Sequence, residues 1–124
     1  MIVGLGLDLC EIDRIEALIE KWGARFTERV FTKLEREYAM AKVQRAQHLA
    51  ARFAVKEAAL KALGVPSGLS WKEMEVRGGG KEAPTLHLSG KAKEAADALG
   101  ISALHITITH AGNFANAVVV AERP

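Results

Sequence analysis

Three side chains in this 124-residue chain stand where their neighbours give them a chemical opportunity: Asp8, Glu57 and His110. Asp8 follows Gly4 and Gly6 at alternate positions, so in a strand it shares with them a face almost bare of side chains. Glu57 lies in HLAARFAVKEAALKALG (residues 48–64), a Pro-free run rich in Ala and Leu that predicts a helix. At about 100° per residue it falls inside the arc spanned by Leu49, Phe53, Leu60, Leu63 and Ala50. An unpaired carboxylate there is costly, so the position predicts a cation or metal beside it, or a helix end that opens into a cleft. His110 ends an alternating run at a turn. Two hard oxygen ligands with open positions suit Mg²⁺, which keeps waters and takes phosphate oxygens, whereas one cysteine cannot build a thiolate zinc site. Each residue also has a plain structural role open to it. Glu57 can pair with Lys61 one turn on, worth about 0.2–0.5 kcal/mol. His110 can bond its own turn, and Gly4 and Gly6 can mark close packing of strand on helix.

The elements that must position these residues are legible in outline. The length fits one domain over residues 1–124, and 49% hydrophobic with 26% charged residues is ordinary for a globular chain. A strand is predicted from Ile2 to Leu9, with Val3, Leu5, Leu7 and Leu9 on one face and Gly4, Gly6 and Asp8 on the other. A helix follows from Glu11 to Trp22 on Ile12, Ile15, Leu18 or Ile19, and Trp22. Thr32 and Glu35 form a capping-box pattern before a helix whose apolar side is Leu34, Tyr38 and Ala41. Beyond the long helix, Val65 to Leu69 is a loop, Met74 and Val76 belong to a short strand, Gly78 to Gly80 to a turn, and Thr85 to Leu88 to another strand. Lys91 to Leu99 reads as a helix closed by Gly100. His105 to His110 and Phe114 to Glu122 flank a turn and should pair as an antiparallel hairpin. The fold class expected is α+β, a mixed or antiparallel sheet packed on a long central helix. Val118, Val119, Val120 and Ala121 make the last strand apolar on both faces, and a second subunit could cover the surplus face.

The net charge of +2 conceals a basic middle: Lys21 to Lys61 holds ten Lys and Arg against four Glu, +6, so the rest sums to −4. Arg25, Arg29, Lys33 and Arg36 would align on one side of a continuous helix. Such a face is either simply solvated or meets phosphates or an acidic protein. Aromatics are only 6% of residues and form no row within the basic stretch on which bases could stack, which weighs against nucleic acid. The apolar N-terminus lacks a basic flank, and no uncharged run reaches the roughly 18 residues needed to span a bilayer, so the expectation is a cytoplasmic protein with no membrane partner. Cys10 is alone and reads as a near-core residue.

Taken together, GLGLDLCEIDRI (residues 4–15), RFAVKEAALKALG (52–64) and ITITHAGNFANAVVV (106–120) resemble, in order and approximate spacing, the three signature blocks of the small holo-acyl-carrier-protein synthase type of 4′-phosphopantetheinyl transferase. The resemblance runs nearly end to end and includes Ser70-Trp71 before Met74-Glu75-Val76. In one place the chain departs: the family often has Gly-Lys-Pro where this chain has Gly80-Lys81-Glu82-Ala83-Pro84.

The resemblance implies a 4′-phosphopantetheinyl transferase fold and a reaction of lipid metabolism and fatty acid biosynthesis. Coenzyme A gives its 4′-phosphopantetheine arm to a serine of apo acyl carrier protein, leaving adenosine 3′,5′-bisphosphate. It implies that Asp8 and Glu57 hold Mg²⁺ on the pyrophosphate and that Lys61 contacts phosphate. Thr109, His110 and Pro84 would line the nucleotide site, and Arg52 would meet the ribose 3′-phosphate across a subunit boundary. Arg14 and Arg25 would dock the acidic carrier, and the assembly would be a homotrimer with sites at its interfaces. Either Glu57 or a metal-held water takes the serine proton. Two rivals remain at this stage. A noncatalytic basic module would bind nucleic acid or an acidic protein without metal and tolerate changes at Asp8 and Glu57. A Mg²⁺-dependent nucleotide hydrolase would place a water where the carrier serine belongs.

Overall fold

The first strand, β1 (Ile2–Glu11), turns its glycine face inward against the long helix. A computed structural model describes all 124 residues. After β1 come α1 (Ile12–Trp22), α2 (Ala24–Val30), α3 (Lys33–Met40), α4 (Arg45–Ala62) and a 3-10 turn at Trp71–Glu73. Then follow β2 (Met74–Gly79), β3 (Glu82–Leu88), α5 (Gly90–Ala98), β4 (Ala103–Ala111) and β5 (Phe114–Glu122). No helix is long and apolar enough to cross a membrane.

A Cβ on Gly4 would fall 2.0 Å from the Ala62 carbonyl oxygen, and one on Gly6 1.8 Å from that of Ala58. Strand and helix therefore meet backbone to backbone. Two strand residues rise about 6.6 Å and four helix residues about 6 Å, so alternate glycines on β1 match a four-residue step of alanines on α4. Ala50, Ala54, Ala58 and Ala62 are all buried there.

All strand pairings are antiparallel. β5 runs between β1 and β4, and β2 with β3 forms a separate hairpin. The predicted β4–β5 hairpin is present. No parallel pairing is present: of the mixed or antiparallel sheet expected, the antiparallel form is found, with β1 added to the far edge of β5 and Leu5 opposite Val120, a pairing between chain ends that no local pattern encodes. Ala115, Ala117, Val119 and Ala121 bury the inner face of β5. The outer face is open, with Leu5, Leu7 and Leu9 exposed by 65%, 62% and 55%. Val120, Val118 and Asn116 stand beside them in register.

The continuous basic helix does not form either. The chain breaks at Phe31, a fully buried ring, and restarts as α3 where Thr32 and Glu35 close the expected capping box. Arg36 turns back to donate to the Phe31 carbonyl at 2.7 Å. The β2–β3 hairpin is held from below by Lys56 on α4, whose Nζ donates to the carbonyls of Trp71 and Met74 at 3.0 and 2.5 Å.

Candidate active site

α4 carries functional side chains on two of its sides. Glu57 lies five residues beyond Arg52, about 140° around the helix axis, so the two look in different directions. On one side Glu57 meets Asp8, delivered by the glycine face of β1, together with Lys61. Lys61 Nζ donates to the Leu7 carbonyl at 2.9 Å and to Asp8 Oδ1 at 3.4 Å. The simple Glu57–Lys61 pair is replaced by this Asp8–Lys61 bridge. Burial, then a hydrogen bond with Asp8 and the Asp8 charge, push the Glu57 carboxyl above its usual range, while Arg14 and Lys61 pull the other way. Glu57 itself is half-buried, at the edge of the apolar stripe rather than inside it.

Asp8 Oδ2 is buried and has no hydrogen-bond partner. A carboxylate oxygen left this way loses a hydrogen bond it would have had in water, so the atom marks the place of something that is not protein. No third histidine, cysteine or carboxylate stands with the pair to complete a protein-built cage. Two carboxylates, one with an unmet oxygen, and no thiolate or imidazole completing a cage suit Mg²⁺ and not zinc.

On the other side lies a cavity of about 470 Å³ between the start of α4, the turn of the β2–β3 hairpin and the end of β4. Arg52, Pro84, Thr109 and His110 line it, and Tyr38, Gln47, His48 and Lys81 join them. The Arg52 guanidinium lies 4.1 Å from the centroid of the Tyr38 ring and donates from Nη2 to the Gly78 carbonyl at 3.0 Å. Its Nε, also buried, has no acceptor. Asp8 Oδ2 and Arg52 Nε are the two such atoms in the chain, one on each side of α4. The residues expected to act together thus form two groups: Asp8, Glu57 and Lys61 in one, Arg52, Pro84, Thr109 and His110 in the other. The altered loop between Gly80 and Pro84 supplies one wall of the cavity.

Arg14 and Arg25 are both exposed. Arg14 is near enough to lower the Glu57 pKa, whereas Arg25 rests over the ring of Trp22, 5.5 Å from its centroid, with Lys21 also over that ring at 5.1 Å. Much of the basic middle is occupied elsewhere: Arg45 pairs with Glu16, Lys33 with Glu37 and Lys61 with Asp8, while Arg52 and Lys56 are buried. What stays free near Trp22 is a compact basic patch. Cys10 is buried, and burial pushes its thiol up to about 11, which leaves it without thiolate character at neutral pH. Sequence reasoning missed Tyr38, Gln47 and His48. A polar pair in the first turns of α4, before the apolar stripe is fully established, was the available signal.

A carboxylate pair with an unmet oxygen and a neighbouring lysine thus lie on one side of α4, and a cation-lined cavity on the other, within an α+β scaffold. Residues 4–118 match the 4′-phosphopantetheinyl transferase superfamily, and the chain belongs to this family of transferases. Within it, the chain is 49% identical to the holo-[acyl-carrier-protein] synthase of Anaeromyxobacter dehalogenans strain 2CP-1, over 98% of this chain and 97% of that one. Its fold is that of the Neisseria meningitidis holo-[acyl-carrier-protein] synthase, with a TM-score of 0.86, 28% identity, and coverage of 99% of this chain and 100% of that one. The Helicobacter pylori holo-[acyl-carrier-protein] synthase in complex with coenzyme A superposes with a TM-score of 0.82 at 35% identity, covering 95% of this chain and 99% of that one.

Proposed function

We propose that this chain transfers 4′-phosphopantetheine from coenzyme A to a serine hydroxyl of apo acyl carrier protein. The carrying observation is the unpartnered Asp8 Oδ2 beside Glu57 and Lys61, a buried carboxylate oxygen that a bound cation would satisfy. In the reaction the serine Oγ forms a bond to the phosphorus next to the pantetheine, the bond from that phosphorus to the bridging oxygen breaks, and adenosine 3′,5′-bisphosphate leaves. Asp8 and Glu57 would hold Mg²⁺, which when bound supplies charge neutralisation on the pyrophosphate. Lys61, already 3.4 Å from Asp8 Oδ1, is placed to turn to a phosphate oxygen. Glu57, or a water that it holds, would accept the serine proton.

Arg52 would meet the nucleotide phosphate, with His110, Thr109 and Pro84 around it. Because the carboxylate cluster and the cavity look away from each other on α4, one substrate would use the cluster of one subunit and the cavity of the next. The open outer face of β1 and β5 is the surface through which a homotrimer would close. Arg14 beside the carboxylates, and Lys21 with Arg25 over Trp22, would dock the acidic carrier. The test is direct: the protein, coenzyme A, Mg²⁺ and an apo carrier should give a carrier heavier by about 340 Da in mass spectrometry, the mass of one phosphopantetheine modification. No mass gain with Mg²⁺ present, or an equal gain after thorough chelation, would refute the reading.

A further inference from the structure

The cavity between α4 and β4 contains two imidazoles, and His48 is the one that the sequence did not point to. It stands four residues before Arg52, so one helical turn brings both to the same wall. Its ring meets the edge of Tyr38 with centroids 5.5 Å apart. The ring hydrogen bonds of the chain's histidines are those of His87 with Thr85 and His105 with Glu122, which leaves both nitrogens of His48 free.

Its surroundings are strongly one-sided in charge. Arg52 belongs to the same helix, Lys42 to the turn after α3, His110 to the end of β4 and Lys81 to the hairpin turn, and the one acid on the cavity wall is Glu82. Tyr38 faces the ring from α3 without charge. Burial first, then Arg52, Lys42 and His110, hold the imidazole below its ordinary pKa, so in the empty cavity it is neutral at neutral pH. An anion entering the cavity removes this handicap, because its charge opposes that of the cations around the ring.

We propose that His48 is a contact for the doubly charged phosphomonoester at the nucleotide end of the substrate and that it takes up a proton from solvent as that group enters. The proposal rests on the reading of the cavity as the nucleotide site. His48 then acts as a selective cation: it gains charge when the ligand carries the phosphomonoester and stays neutral when the ligand lacks it. This favours a 3′-phosphorylated nucleotide over its dephosphorylated form without adding a permanent positive charge to the empty cavity. The affinity gain appears as pH falls through the window between the bound and free values of His48. Below about pH 6 the phosphate's own second ionisation works against it.

Isothermal titration of the full chain, with Mg²⁺ held constant and saturating, tests this with coenzyme A and dephospho-coenzyme A in buffers of different ionisation heat. For the wild type at pH 7.5, proton uptake is expected with coenzyme A and much less with dephospho-coenzyme A. His48→Gln and His48→Phe should both still bind coenzyme A with uptake reduced by more than half, the Phe variant keeping a ring against Tyr38. Between pH 8 and 6.5 wild-type affinity should rise several-fold and that of the variants should stay nearly flat. Unchanged uptake in both variants overturns the proposal, as does equal uptake with the two ligands. If the folded wild type binds neither ligand, the nucleotide reading of the cavity fails, and the proposal with it.

Discussion

Lys56 and Glu35 form an ion pair, Nζ to Oε1 at 2.8 Å, in which neither side chain has any exposed surface. Lys56 spends its two other donors on the Trp71 and Met74 carbonyls, and Glu35 accepts from the backbone amides of Thr32 and Val76. Four segments are tied by two side chains: the start of α3, the middle of α4, the 3-10 turn and β2, the last through both residues flanking Glu75. Such a pair is a poor source of net stability but is costly to halve, since the remaining charge is stranded. Lys56→Met should lower unfolding free energy by about 3–5 kcal/mol in urea titration, and adding Glu35→Gln, which keeps the acceptor for Thr32, should recover part of the loss. A single-variant loss under about 1 kcal/mol would mean the site is wetter than its geometry says.

Glu57→Gln should abolish transfer without destabilising the fold. A carboxyl whose folded pKa is raised favours the native state only while protonated; that contribution is complete below the unfolded pKa and disappears as pH rises through the folded value. Melting curves should show the Gln variant gaining on wild type above the normal Glu range, near pH 4.5 and higher, with the two converging in acid. A Gln variant less stable at every pH would show Glu57 to be structural.

The wild-type rate should fall on the acid side, because protonated Glu57 can neither bind a cation nor accept a proton. Arg14 separates itself from Arg25 here. Both charge reversals should raise the KM for the carrier and leave coenzyme A affinity nearly unchanged. Only Arg14→Glu should also move the acid limb of the rate profile to higher pH, since of the two arginines Arg14 alone lowers the Glu57 pKa. Identical profiles for the two variants would remove Arg14 from the neighbourhood of the carboxylates.

Leu7→Asp probes the open face of the sheet, where Leu7 stands beside Val118. Sedimentation at micromolar concentration should give a trimer for wild type and a folded monomer without transfer activity for the variant. An active monomer in either case would show that one chain contains the whole site.

Much of this was legible in the sequence because it is local. The alternation of β1, the capping box at Thr32 and the β4–β5 hairpin need only neighbouring residues, and the three blocks placed Asp8, Glu57 and His110. What joins distant segments was not legible: the addition of β1 to β5, the break between α2 and α3 over the buried Phe31, and the stack of Arg52 on Tyr38. Lys56 is the instructive miss. It lies seven residues from both Leu49 and Leu63, about 20° from each around the helix, whereas Glu57 is about 80° from Leu49. The centre of the apolar stripe was therefore Lys56, and the same angular argument would have revealed a buried cation in search of an acid.

The contact of Gly4 and Gly6 with the carbonyls of Ala62 and Ala58 leaves no layer of side chains between β1 and α4. Side chains between two elements usually act as a compressible gasket, so that substitutions let the elements drift by fractions of an ångström. Here there is none. The gap across which Asp8 and Glu57 face each other is a main-chain dimension, and drift in the residues around it leaves that gauge unchanged. Gly6→Ala should consequently lower transfer activity even where the chain still folds and assembles, because it alters the gauge itself.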